Sequence, residues 1–218
     1  MRKRFDRRVV PGAALEFIRG CQQQVACELG GGAALSGAYL GHRMTGDLDL
    51  FVHDADDMRA LVRALPDIAR QTGLHLTLQR DVGHLVRARI EGPEGAMEVD
   101  VVHEPVGDIE APPPPLEGIV VESLKDLRAS KLTCILSRSE PRDLVDLYFL
   151  DRAGYPPDED LSLALQKDSG IDPGILAWIL SQFPVEPMPQ MLEPLTGEDL
   201  RRFRGALADR LRAKTVER

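Results

Sequence analysis

The residues best suited to chemistry in this 218-residue chain are two aspartates, Asp47 and Asp49, in the run "TGDLDLFV". Leu48 and Leu50 alternate with them in period two, the signature of a half-buried strand. Residues two apart on a strand share a face, so both carboxylates point to one side while the leucines enter a core. Like charges that close are unfavourable without protons or a cation. Oxygen-only donors suit Mg2+ or Mn2+, which pair carboxylates with substrate phosphates. An exposed edge strand carries the same spelling merely for solubility. A third acid, Asp100 in "MEVDVV", stands between Val99 and Val101 in another strand-like run and could complete a metal set.

Just upstream lies Gly30-Gly31-Gly32, at a strand-to-helix junction. Bare backbone N–H groups there can approach phosphate oxygens, although a tight turn alone explains a glycine run. The run is neither GxGxxG, because Leu35 stands where the last glycine belongs, nor a P-loop. Downstream, a helical wheel over residues 124–138 puts Lys131 among Leu124, Leu127, Cys134 and Ile135, with Arg138 beside it. A cation within an apolar stripe needs a partner, faces an anion in a cleft, or snorkels past the core edge. The next helix, "EPRDLVDLYFL", crowds Arg142, Asp143 and Asp146 on one polar face. That spelling fits a surface ion pair, or carboxylates that orient Lys131 or take a proton from an attacking hydroxyl.

These residues need a scaffold. Helical spacing over Pro11–Ala26 leads to a short strand near Cys27–Leu29, then a short helix over Ala33–Leu40 and the strand Gly46–His53. An amphipathic helix, Asp54–Gln71, precedes strands at Leu74–Leu78, His84–Ile90 and Met97–His103. "APPPPLEG", Ala111–Gly118, continues neither element. Beyond it the pattern is helical over 124–138, 141–152, 161–168, 173–183 and 197–214, with Ser123/Asp126 and Thr196/Asp199 as N-terminal caps. The expected class is α+β: residues 1–110 with a small mixed sheet flanked by helices, a proline-rich connector over 111–122, and an α-helical half over 123–218.

The 35 acidic and 27 basic residues give a net charge of −8, which argues against a surface coated for nucleic acid but allows local basic patches. The N-terminal cluster Arg2, Lys3, Arg4, Arg7, Arg8 and the last helix are such patches, and solvated chain ends explain them equally. Three cysteines without a CxxC pair, no apolar run of membrane length and no signal-peptide pattern lead us to expect a cytoplasmic protein with no membrane partner.

Taken in order, "GGGAAL", "HRMTGDLDLFV" and "KLTCILSRSEPRDLVDLYFL" resemble the signature segments of the AbiEii/AbiGii-type nucleotidyltransferase toxins, within the polymerase-β-like superfamily. The resemblance covers residues 29–52 and 131–150 closely and Asp100 more loosely. It implies a nucleotidyltransferase fold whose helical half closes a nucleotide cleft. By that likeness Gly31 and Gly32 hold the triphosphate, Asp47, Asp49 and Asp100 bind the metal, and Arg43, Thr45, Lys131, Arg138 and Arg142 line the nucleotide site. Lys131, Asp143 and Asp146 join the three acids in catalysis. Thr45 replaces the family's usual serine and keeps a hydroxyl; Ala33 replaces a Ser or Thr and removes a side-chain phosphate contact but not the backbone cradle. The resemblance further implies an NTP substrate, an RNA acceptor such as tRNA and a cognate antitoxin. A small-molecule acceptor of aminoglycoside type, a metal-dependent glycosyltransferase and a non-catalytic nucleotide-binding module are the competing readings.

Overall fold

The computed structural model describes residues 1–216. It divides into two compact units, Met1–Ser123 and Leu124–Arg218.

The first unit is built on a mixed sheet of five strands, β1 (Glu28–Gly30), β2 (Asp47–Val52), β3 (His75–Asp81), β4 (Leu85–Gly92) and β5 (Gly95–His103), in the order β1-β2-β5-β4-β3. Only β2 and β5 run parallel; the other neighbours are antiparallel. Strict alternation makes β2 a strand: Leu48, Leu50 and Val52 are fully buried and the residues between them are not. Val86, Ala88 and Ile90 of β4 and Val99 and Val101 of β5 continue that apolar face. Helix α3 (Ala55–Gln71) packs against β2, β3 and β5 through a stripe of Met58, Leu61, Leu65 and Ile68. Its start is fixed by Asp54, whose carboxylate accepts from the backbone N–H groups of Asp56 and Asp57 at 2.7 and 3.0 Å. Helix α1 (Gly12–Gln24) lies on α3. It comes so close at Gly20 that a Cβ there would stand 2.6 Å from Cγ2 of Ile68.

Two segments differ from their spelling. The helix expected over 33–40 starts earlier, as α2 (Gly31–Ala34), and widens into a π-helical turn over Leu35–Leu40. Gly41, with φ of 72°, ends that turn by donating to the Ser36 carbonyl at 2.8 Å. The segment expected as a connector, residues 111–122, belongs to the first unit. Leu29 donates to Val120 at 3.1 Å and Glu122 donates back to Leu29 at 3.0 Å, so this stretch pairs alongside β1. The N-terminal arginines are likewise tied down, Arg7 to Glu117 and Arg8 to Asp6.

The second unit is helical: α4 (Leu124–Ser137), α5 (Pro141–Arg152), α6 (Leu161–Lys167), α7 (Pro173–Gln182) and α8 (Gly197–Val216). Its core is formed by Leu127, Leu132, Ile135, Leu144, Leu147, Leu176, Leu180, Leu200, Leu207 and Leu211. Asp172 caps α7 through Gly174 and Ile175, and the Thr196 hydroxyl accepts from the Asp199 N–H at 3.1 Å to start α8. Buried or half-buried ion pairs cross-tie the helices, Lys167 to Asp126 at 2.8 Å and Arg210 to Asp151 and Asp158 at 2.6 and 2.7 Å.

Candidate active site

Strand register brings the predicted acids of the first unit together. Asp49 lies opposite Asp100, and Asp47 opposite Glu98, on the parallel pair β2–β5. On the other side of β5, Arg87 of β4 opposes Asp100 and Arg89 opposes Glu98. Opposed residues share a face, and neighbouring strands are about 4.8 Å apart. The side of the sheet away from the buried valines therefore carries two rows, Asp49-Asp100-Arg87 and Asp47-Glu98-Arg89. Arg80 of β3, opposite Arg87, extends the first row. Four half-buried carboxylates thus meet arginines on one face of the sheet.

The glycine run sits at the end of this surface, where Gly30 pairs with Asp49 across β1 and β2. Each glycine leaves room for a specific side chain. A Cβ on Gly30 would stand 2.1 Å from Oε2 of Glu122, one on Gly31 1.8 Å from Oδ2 of Asp49, and one on Gly32 2.7 Å from Nη2 of Arg43. Gly31 also has φ of 58°, a backbone state that side chains disfavour. The run is thus required by what surrounds it, and it presses bare backbone against the Asp49 carboxylate.

The π-helical turn returns the chain to this point. The Ser36 hydroxyl donates to the Arg43 carbonyl at 2.6 Å and accepts from the Arg43 N–H at 3.2 Å. Arg43 is 2% exposed, and its guanidinium donates to the Met44 carbonyl at 3.0 Å while lying against Gly32. The side chain is thus buried beside the glycine turn. Thr45 places Oγ1 near Gly32 and accepts from the Asp47 N–H at 3.4 Å.

In the second unit Lys131, Arg138, Asp143 and Asp146 form a cluster. Lys131, 4% exposed, directs Nζ to Asp146 Oδ2 at 2.7 Å and to Asp143 Oδ1 at 3.3 Å; both aspartates are fully buried. Asp143 also takes a two-pronged pair from Arg138, at 2.7 and 2.8 Å. That pairing holds the Arg138 guanidinium even more firmly protonated than usual, against the opposing effect of its burial. The polar face of α5 thus turns inward onto a lysine; it is not a surface ion pair. Buried Lys131 is thus held in one place by two buried carboxylates, while Arg138, 39% exposed, balances the second anion from the solvent side. Arg142 pairs with Glu140 at 2.5 Å at the start of α5. Burial pushes the neighbouring Cys134 thiol up.

A preformed metal cluster is not what the acid surface presents. Among the described residues, the three groups whose ligand atoms all lie within 4.8 Å of one another are Glu28, His53 and Asp108. Asp47, Asp49 and Asp100 are aligned by register but not converged. Asp100 is held by Arg87, whose Nε and Nη2 take both of its oxygens, at 2.7 and 2.6 Å. Asp100 in turn keeps the Arg87 guanidinium more strongly protonated than usual, with Asp47 and Glu98 adding to the effect. The donor chemistry still suits a divalent cation, since all three are carboxylates on one face and Asp49 fills the space that Gly31 leaves open.

Most of the chain matches a known family. The family model for the nucleotidyl transferase AbiEii toxin of type IV toxin–antitoxin systems covers residues 22–217. The chain belongs to the AbiEii nucleotidyltransferase toxin family. Solved structures share the fold. MenT4, a nucleotidyltransferase toxin from Mycobacterium tuberculosis H37Rv, aligns with a TM-score of 0.61 at 20% identity over 92% of this chain and 86% of its own. JHP933 from Helicobacter pylori aligns with a TM-score of 0.56 at 18% identity over 96% and 95%. No curated protein matches the chain. Among the described residues of this AbiEii member, no helix is long and apolar enough to cross a membrane.

Five side chains around the site escaped the sequence reading: Arg80, Arg87, Arg89 and Glu98 are found only through register, and buried Glu122 only because it fills the space beside Gly30. The alternation in "VRARIEG" and "MEVDVV" showed which residues share a face, but not which strands are neighbours.

Proposed function

We propose that this AbiEii-family chain transfers a nucleoside monophosphate from an NTP to a hydroxyl of an RNA acceptor such as tRNA, releasing pyrophosphate. The reading is carried by one observation: Asp47, Asp49 and Asp100 share a face in register, with the bare backbone of Gly31 against Asp49. Asp47 and Asp49, joined by Asp100, would hold Mg2+ or Mn2+. The bound ion would neutralise charge on the phosphates and lower the barrier to attack at the α-phosphorus. Gly31 and Gly32 offer backbone N–H groups to the triphosphate, and Thr45 a hydroxyl beside them. Arg43, buried, keeps that turn from collapsing onto Asp49. Lys131 supplies a cation whose direction is set by Asp143 and Asp146, with Arg138 completing the charge balance; Arg142 lies at the start of the same helix.

Arg80, exposed on the same face beyond Arg87, offers a polyanionic acceptor a cation beside the acids, while Arg87 and Arg89 are paired with Asp100 and Glu98. The family supports a role as the toxin of a toxin–antitoxin pair, acting in the cytoplasm beside a cognate antitoxin. The test is pyrophosphate release from each of the four NTPs with Mg2+ and total RNA. Release that needs RNA and disappears in Asp49→Ala supports the reading. Equal release from that variant, or release only with an aminoglycoside, overturns it.

A further inference from the structure

We infer that Arg87 is a positioning residue that holds Asp100 in reserve and passes from its carboxylate to the phosphates when nucleotide and metal arrive. The inference rests on the reading of the aspartate face as the nucleotide site.

Three observations lead to it. First, both oxygens of Asp100 are taken by one guanidinium, at 2.7 and 2.6 Å, so a cation at Asp100 must share the carboxylate with Arg87 or displace it. Second, the pair is asymmetric in freedom: the Arg87 side chain is 48% exposed and that of Asp100 13%. The arginine can swing into solvent on its flexible stem, whereas the carboxylate is fixed in the row beside Asp49. Such a partly exposed ion pair is weak enough to be exchanged. Third, the guanidinium fork that fits a carboxylate also fits phosphate, with the same planar two-pronged geometry. A divalent cation on the aspartates would repel Arg87 across a few ångströms, while a triphosphate on that cation would attract it.

Arg89 makes the comparison internal to the sheet. It stands in the next row on the same strand, but divides its contacts between Glu98 at 2.9 Å and Glu91 at 3.0 Å and does not touch a predicted metal ligand. Removing either arginine changes the net charge equally.

The test measures Mn2+ binding by electron paramagnetic resonance, and binding of a non-hydrolysable NTP analogue with Mn2+ by calorimetry. Wild type, Arg87→Gln and Arg89→Gln are compared, with circular dichroism and melting curves confirming the fold. Arg87→Gln should bind Mn2+ alone roughly 3–10-fold more tightly, because a competing positive charge within a few ångströms is gone. It should bind the Mn2+ analogue complex roughly 10-fold more weakly, because a charge-assisted hydrogen bond to phosphate is lost. Arg89→Gln should move each by less than about twofold, as expected of a screened surface charge. Arg87→Gln values equal to wild type, or equal shifts in both variants, overturn the exchange. A wild-type protein that binds neither Mn2+ nor analogue overturns the nucleotide reading itself.

Discussion

Replacing Gly31 by alanine should damage chemistry far more than stability. The new methyl carbon would fall 1.8 Å from Oδ2 and 2.6 Å from Cγ of Asp49, so the carboxylate must rotate away. It is the far end of a side chain and can do so. What remains is backbone strain at φ of 58°, about 1–2 kcal/mol for a residue with a Cβ. For a chain of this length that lowers Tm by roughly 2–8 °C. A displacement of Asp49 by about 1 Å, however, is of the size that costs on the order of 100-fold in rate. The assay is a double-mutant cycle: melting temperature and nucleotide transfer for Gly31→Ala, Asp49→Ala and both together. In the Asp49→Ala background the nearest remaining atom is Cβ at 3.1 Å, so the clash largely disappears. Gly31→Ala should then cost at least roughly 0.5 kcal/mol less stability than in wild type. Identical costs in both backgrounds, with Gly31→Ala keeping transfer activity within about twofold of wild type, would refute the packing of Gly31 on Asp49.

Further outcomes follow from the same structure. Lys131→Met leaves two fully buried aspartates without their shared cation and should destabilise the protein by about 3–5 kcal/mol in denaturant unfolding, with much of the loss restored by adding Asp143→Asn and Asp146→Asn. Cys27 has its thiol pKa pushed up to about 12, mainly by burial, with Glu28 and Asp57 adding to it. Because the unfolded thiol ionises near 9 and the folded one does not, the unfolded state binds fewer protons above that pH, and stability should fall as pH rises from about 9 to about 12. Cys27→Ala should flatten that alkaline decline in melting curves. Thiol-alkylating reagents at pH 8 should leave Cys27 untouched until the protein unfolds, as mass spectrometry would show.

The strands and helices were legible because their signals are local. Period-two alternation marked β2, and helical spacing placed Lys131 inside an apolar stripe, where the structure finds it buried and doubly paired. The desolvation cost of a buried unpaired charge pointed to a partner for that lysine, with snorkelling as the alternative. Other features depend on pairings that a linear reading does not hold. Whether Asp100 reaches Asp49 is decided by the parallel register of β2 and β5, and its capture by Arg87 by the antiparallel register of β4. The glycine run was visible, but its cause was not: three separate side chains, Glu122, Asp49 and Arg43, use the space that its missing Cβ atoms leave. The burial of Arg43 beside Gly32 was not legible either, since a charge adjacent in sequence to the acids says nothing about which side of the loop it occupies.

Anomalous diffraction from crystals soaked with Mn2+ and a non-hydrolysable NTP tests directly whether metal and nucleotide meet on the aspartate face of β2 and β5. A Mn2+ peak is expected between Asp47 and Asp49, with triphosphate density against Gly31 and Gly32. Mn2+ at Glu28, His53 and Asp108 instead, with no nucleotide on the aspartate face, would contradict that placement.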